Sequence, residues 1–258
     1  MAYRKVIAIA QPRFLEGDGD EGILLIHGLG SYPGVLDNLA YALNGEGFSV
    51  SSPRLPGHGT DGDDYAAASG RDWVRRSEDS LYELAGRCSK VHILGFSLGG
   101  VIALILAARS EIESLTLLAP AVTNTNRQIV LAPILRRFLR KLPGEVDFQG
   151  QNPDDPDIGY LAEEYWRWKW AAPAAELLKL QRKAKAAAKR VTSRTMLMVS
   201  RSDTAVPLKV KRVLEKRLGD HLMKTVVLDH SGHTLTTDCE KDKVASEVVA
   251  WYKSLSLR

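Results

Sequence analysis

The apolar run Val91–Leu94 leads without a break into Gly95-Phe96-Ser97-Leu98-Gly99-Gly100, and Val101–Ala108 follows, apolar on nearly every side. The first run is short and lacks polar alternation, as in a strand covered on both faces. The second can be a helix only if it is buried all round. Nothing between them is long enough for a loop, so a buried strand must turn sharply into a buried helix. Gly95 and Gly99 stand two residues either side of Ser97, where a tight turn packs backbone against backbone and leaves no room for a bulky side chain. The pattern G-x-S-x-G in that setting lifts a serine hydroxyl from the carboxyl end of its strand, in a strained backbone conformation. The helix that follows brings N–H groups and the positive end of its dipole close to that hydroxyl.

The rest of the chain repeats the same alternation. Ile23–Ile26, Phe48–Ser51, Leu115–Leu118, Met196–Val199 and Thr225–Leu228 are short apolar runs bounded by Gly, Pro, Asp or Ser, and each reads as a buried strand. Val6–Ala10 reads as a short edge strand. Helical faces lie between them: Leu36, Leu39, Ala40 and Leu43; Trp73, Ser77, Leu81 and Leu84; Val244, Val248, Trp251/Tyr252 and Leu255. Ser69 and Asp72 have the spacing of a capping pair. This β-α-β-α order predicts an α/β fold, a mostly parallel doubly wound sheet with helices on both faces. One stretch breaks the rhythm. About 75 residues separate Leu118 from Thr195, whereas a crossover needs about a dozen. Residues 121–191 are therefore expected to form a small helical cap inserted before a late strand, with helices over Ile158–Trp170 and Ala174–Val191. Residues 1–120 and 192–258 are expected to form the core.

Composition narrows the function. Of the 258 residues 45% are hydrophobic and 26% charged, and the net charge is +4, which suits a globular protein with one large core. No interleaving of basic and aromatic residues points to nucleic acid. No apolar stretch has spanning length, which argues against stable membrane insertion. The two cysteines, Cys88 and Cys239, lie far apart and make no disulfide framework, and the run after Arg4 and Lys5 is too brief for a signal-peptide core; both suggest a cytoplasmic protein.

A serine hydroxyl needs a base, and the base needs a group to orient it. With the nucleophile on such an elbow, the chain order is serine, acid, histidine. Of six histidines, His27, His58 and His92 precede Ser97. His233, in the loop Asp229-His230-Ser231-Gly232-His233 after the last apolar run, is the chosen base, because Ser231-Gly232 give it room to turn. Asp203, just past Met196–Val199, is the acid. Its negative charge would stabilise the imidazolium. Two backbone N–H groups are candidates for holding an oxyanion: that of Leu98, next to the nucleophile, and that of Leu29, in His27-Gly28-Leu29-Gly30 after the first core strand. Gly28-Leu29-Gly30 also begins like a dinucleotide fingerprint, but Pro33 stands where the third glycine belongs.

The residues Leu24-Leu25-Ile26-His27-Gly28, Pro56-Gly57-His58-Gly59, Asp72-Trp73, Gly95–Gly100, Asp203 and Ser231-Gly232-His233 with Asp238 and Glu240 make the chain resemble the α/β-hydrolase superfamily. The likeness is to small bacterial carboxylesterases and bacterial monoacylglycerol lipases, and it covers nearly the whole chain. It implies a Ser97/His233/Asp203 triad, an oxyanion hole from Leu29 and Leu98, a small helical cap, and neither cofactor nor metal. The expected activity is hydrolysis of small-molecule carboxylic esters of short to medium acyl chain through an acyl-serine, by a monomer or homodimer. The alternatives are a monoacylglycerol lipase or thioesterase for longer chains and, in another class, a ligand-binding relative that does not hydrolyse. Trp166 and Trp170, four apart on the expected cap helix, are candidate acyl-site residues, with Trp168 pointing elsewhere. The basic stretch Lys179–Arg190 is read as a solvated helix face.

Overall fold

The computed structural model describes residues 4–125, 127–148 and 151–256. Its strands are β1 (Arg13–Leu15), β2 (Glu21–Ile26), β3 (Ser49–Ser52), β4 (Lys90–Phe96), β5 (Ser114–Leu118), β6 (Lys141–Pro143), β7 (Trp168–Trp170), β8 (Arg194–Ser200) and β9 (Leu222–Leu228). Seven of these make one sheet in the order β1-β3-β2-β4-β5-β8-β9, while β6 and β7 pair separately as a two-stranded ribbon. Only β1 runs antiparallel to its neighbour in the large sheet. The helices are α1 (Asp37–Asn44), α2 (Gly62–Ala67), α3 (Gly70–Ala85), α4 (Leu98–Ala107), α5 (Ala132–Leu135), α6 (Pro156–Leu161), α7 (Ala171–Ala187), α8 (Val210–Leu218) and α9 (Lys241–Ser256).

The unbroken apolar runs are explained by the two covered faces. Along β2, Leu24 and Ile26 join a cluster with residues of α3, α4 and α8, while Ile23 and Leu25 join a second cluster with residues of α1 and α9. Successive side chains point to opposite faces of a strand, so a sheet buried on both sides requires apolar residues at every position. Helix α3 begins with the expected capping box, in which the Ser69 hydroxyl accepts from the Asp72 N–H and the Asp72 carboxylate accepts from the Ser69 N–H. It buries Trp73, Ser77, Leu81 and Leu84 against the sheet.

Strands β3 and β4 flank β2, so the winding of the chain reverses there. In an open α/β sheet the loops beyond the carboxyl ends of strands at such a reversal splay apart and leave a crevice. The turn after β4 and the loop after β2 both open into it.

Two expectations change. Val6–Ala10 is no strand: Ala8–Ala10 form one 3₁₀ turn and the Ile7 N–H donates to the Gly59 carbonyl, so the edge position falls to β1. Ile158–Trp170 is not one helix. Helix α6 passes into a π turn over Ala162–Trp166 and then into β7, because Lys141–Pro143 supplies a partner strand from a distant part of the chain. The second expected helix forms as α7, starting a few residues early, and it packs along α4 and α3 with Leu177, Leu180 and Ala184 buried in their cluster. Its apolar side thus faces the core, and Lys179, Arg182 and Lys183 are exposed. Cys88 and Cys239 are free. Among the described residues no helix is long and apolar enough to cross a membrane.

Candidate active site

Ser97 occupies the one-residue turn between β4 and α4, with φ 53° and ψ −113°. A non-glycine residue there costs about 1–3 kcal/mol and persists only where its surroundings hold it. They do: the Ser97 N–H donates to the Leu118 carbonyl at 2.9 Å, and the Ser97 carbonyl accepts from the N–H of Ala121 at 3.0 Å. The flanking glycines are required by contact. A Cβ at Gly95 would stand 2.3 Å from the Gly99 carbonyl oxygen, and one at Gly99 would stand 1.8 Å from that of Ile26.

The structure brings Ser97, His233 and Asp203 together in one line of hydrogen bonds. The Ser97 hydroxyl lies 2.8 Å from His233 Nε2, and His233 Nδ1 lies 2.8 Å from Asp203 Oδ2. Because a carboxylate only accepts, the ring proton sits on Nδ1, which leaves Nε2 to accept from the serine. The Asp203 side chain is almost wholly buried, and its other oxygen accepts from the N–H groups of Ala205 and Val206 at 2.8 Å each. The carboxylate thereby both turns its loop and orients the imidazole.

The histidine loop is held from behind. Glu240 Oε2 accepts from the His230 and Ser231 N–H groups and from the Ser231 hydroxyl, and Asp238 Oδ2 accepts from the Gly232 N–H at 2.6 Å. Burial raises the Glu240 pKa, but these hydrogen bonds outweigh it and hold it at about 2. On the other side of Ser97 the Gly28–Leu29 loop passes so close that a Cβ on Gly28 would lie 3.2 Å from Ser97 Cβ. His27 shapes that loop: Nδ1 donates to the Gly28 carbonyl at 2.9 Å and Nε2 accepts from the Leu55 N–H at 3.1 Å. Burial, aided by neighbouring His58, pushes its pKa well below the usual histidine range, so it stays neutral with the proton on Nδ1. Among the described residues, no protein group accepts from the N–H of Leu29 or of Leu98.

A model of the alpha/beta hydrolase family matches residues 23–247. The chain belongs to that family. It is 28% identical over 250 residues to a thermostable monoacylglycerol lipase of Bacillus sp. (strain H-257), covering 96% of each chain. It is 22% identical over 243 residues to a carboxylesterase of Bacillus subtilis (strain 168), covering 92% of this chain and 94% of that one. Among solved structures, one of two metagenome-derived lipolytic enzymes, LipS and LipT, superposes with a TM-score of 0.85 at 21% identity, over 97% of this chain and 100% of that one.

One wall of the crevice comes from residues 28–31, 65, 96–97 and 233–234, and the other from the segment inserted between β5 and β8. A cavity of about 340 Å³ opens over Ser97 and His233, and Leu29, Tyr65, Trp166, Trp168 and Trp170 line it. The π turn docks the inserted segment onto the core with three consecutive side chains. Glu164 accepts from the Gly62 N–H at 2.8 Å, the Tyr165 hydroxyl accepts from the Thr60 N–H at 2.9 Å, and the Trp166 indole donates to the Gly30 carbonyl at 2.8 Å. Burial raises the Tyr165 pKa to about 12. His58 lies under this docking loop, edge-on to His27, Tyr65 and Trp73, and burial lowers its pKa to about 4.

Trp166 and Trp170 both reach the cavity, though not as two positions of one helix. Trp168, expected to point elsewhere, lines it too, because in strand β7 residues two apart share a face. The alternation Trp168-Lys169-Trp170 was the available signal for this. Tyr65, Glu145, Asp147 and Gln151 also line the cavity. They carry no local pattern, since only the docking of distant segments brings them there.

Proposed function

We propose that this alpha/beta hydrolase cleaves carboxylic esters of short to medium acyl chain through an acyl-enzyme on Ser97. The observation that carries the reading is the unbroken line from Ser97 through His233 to buried Asp203. His233 Nε2 takes the hydroxyl proton as Ser97 Oγ attacks the ester carbonyl carbon. Asp203 stabilises the imidazolium without taking the proton itself. The negative oxygen is received by the N–H groups of Leu29 and Leu98, and each such donor contributes roughly 3–4 kcal/mol to the transition state. Collapse of the intermediate expels the alcohol, which takes its proton from His233. Water, deprotonated by the same nitrogen, then releases the acid. No cofactor enters these steps. Trp166 and Trp170 are assigned to substrate contact, residues 121–191 to the cap and the remainder to the core, and the two free cysteines fit the reducing cytoplasm.

The likeness to a lipase and an esterase supports ester hydrolysis. A second reading, a monoacylglycerol lipase, is favoured by one feature: the inserted segment exposes Val130, Leu131, Ile134 and Phe138, a cluster suited to a lipid ester at an interface. A series of p-nitrophenyl esters from acetyl to palmitoyl, run beside monobutyrin and monoolein, decides between them. Peak kcat/KM at butyrate to octanoate supports the esterase, and preference for monoolein supports the lipase. No turnover of any ester, with no labelling of Ser97 by a fluorophosphonate, would leave a ligand-binding protein.

A further inference from the structure

Beside the cavity at Ser97 lies another, of about 280 Å³, lined by Ile129, Leu135, Leu139 and Leu142 together with Lys141 and Lys169. The two cavities share two lining residues, Trp170 and Ala174. Ala174, on the first turn of α7, has too little side chain to separate them. Trp170 is the bulk between them, and several contacts fix its ring. Its indole donates to the Tyr165 carbonyl at 3.2 Å, its ring meets Tyr65 edge-on with centroids 5.8 Å apart, and the Lys141 ammonium lies 5.0 Å from its centroid. On a further side it abuts Gly62, where a Cβ would stand 2.5 Å from the ring. A ring packed on so many sides does not swing aside cheaply, since cores tolerate few alternative rotamers.

We propose that Trp170 is the specificity-determining partition that ends the acyl site, and that the cavity beside it becomes a distal acyl subsite once the indole is removed. This rests on the ester-hydrolase reading above. A fatty acyl chain is the occupant because the second cavity adjoins the one at Ser97 across Trp170 and most of its lining is aliphatic. In the natural protein a chain that reaches Trp170 gains nothing from further methylenes. With the partition gone, each methylene that enters apolar surroundings should raise kcat/KM about fourfold.

The test compares the full chain with Trp170→Ala, Trp170→Phe and the double variant Trp170→Ala/Leu135→Trp. The readout is the ratio of kcat/KM on p-nitrophenyl laurate to that on the butyrate, below the micellar range. Trp170→Ala should raise the ratio at least tenfold, Trp170→Phe by less, and Leu135→Trp should cancel the gain by filling the second cavity. If Trp170→Ala does not fold, the smaller rise in Trp170→Phe carries the test. An unchanged ratio in a variant folded by circular dichroism overturns the proposal, as does a gain that survives Leu135→Trp. Failure of the underlying reading is distinct: the natural protein would then hydrolyse neither ester.

Discussion

Ser97 and Trp166 line one cavity and are held there by different means. Ser97 stands on a strand end, its backbone bonded to β5 and the segment beyond, with glycines two residues either side that nothing larger can replace. Trp166 stands on a π turn, and its attachment to the core is a side chain reaching a backbone carbonyl. The core wall is fixed by the sheet itself. The opposite wall is fixed by what its side chains find. The place of the Ser97 hydroxyl therefore depends on backbone with little freedom, and the place of the Trp166 ring on single side-chain contacts.

The largest effects should come from the core wall. Ser97→Ala removes the hydroxyl that faces His233 and should lower kcat on p-nitrophenyl butyrate by at least about 10⁴-fold; residual turnover within tenfold of the natural protein would break the assignment. Asp203→Asn keeps the shape but upsets the tautomer of His233, and a loss of about 10⁴-fold in kcat is expected with the fold retained. A loss under tenfold would mean that the carboxylate serves only its own turn.

The seam between the walls should yield to acid. His58 titrates at about 4 in the folded protein and near 6.5 when unfolded. Between those values the unfolded chain binds more protons, so stability is full above pH 6.5 and falls as the pH drops toward 4, by up to about 3 kcal/mol. Urea unfolding at steps from pH 7 to pH 4 measures this, and His58→Phe should flatten the slope. A slope unchanged in that variant would assign the acid sensitivity elsewhere. The smallest effect belongs to the far wall. Trp166→Phe deletes one hydrogen bond, about 0.5–1.5 kcal/mol, and should lower kcat several-fold with little change in KM. A change in KM alone would make Trp166 a binding contact only.

The same contrast explains what the sequence made legible. The elbow, the capping pair at Ser69 and Asp72, and the alternating faces of β2 are local, and their spacing states the geometry directly. Even the order of Asp203 and His233 follows from which strand each one trails. The inserted segment obeys no single period. A π turn widens the helix by one residue, β7 then advances by two, and its partner β6 comes from a distant stretch of chain. Counting four from Trp166 to Trp170 found two residues that do line the cavity, but Trp168 was lost because it obeys the strand period. Val6–Ala10 failed in a related way: an apolar run makes a strand only if a neighbour accepts its N–H groups in series, and there the loop at Gly59 takes just one.

The bond from the Trp166 indole to Gly30 joins the segment between β5 and β8 to the loop beside Ser97. The two segments thus cannot be exchanged independently. Any replacement for the segment between β5 and β8 would need a donor at that point, or a loop that no longer requires one. Recombination libraries built on this scaffold should therefore move the loop 27–31 and the turn 162–166 as a matched pair.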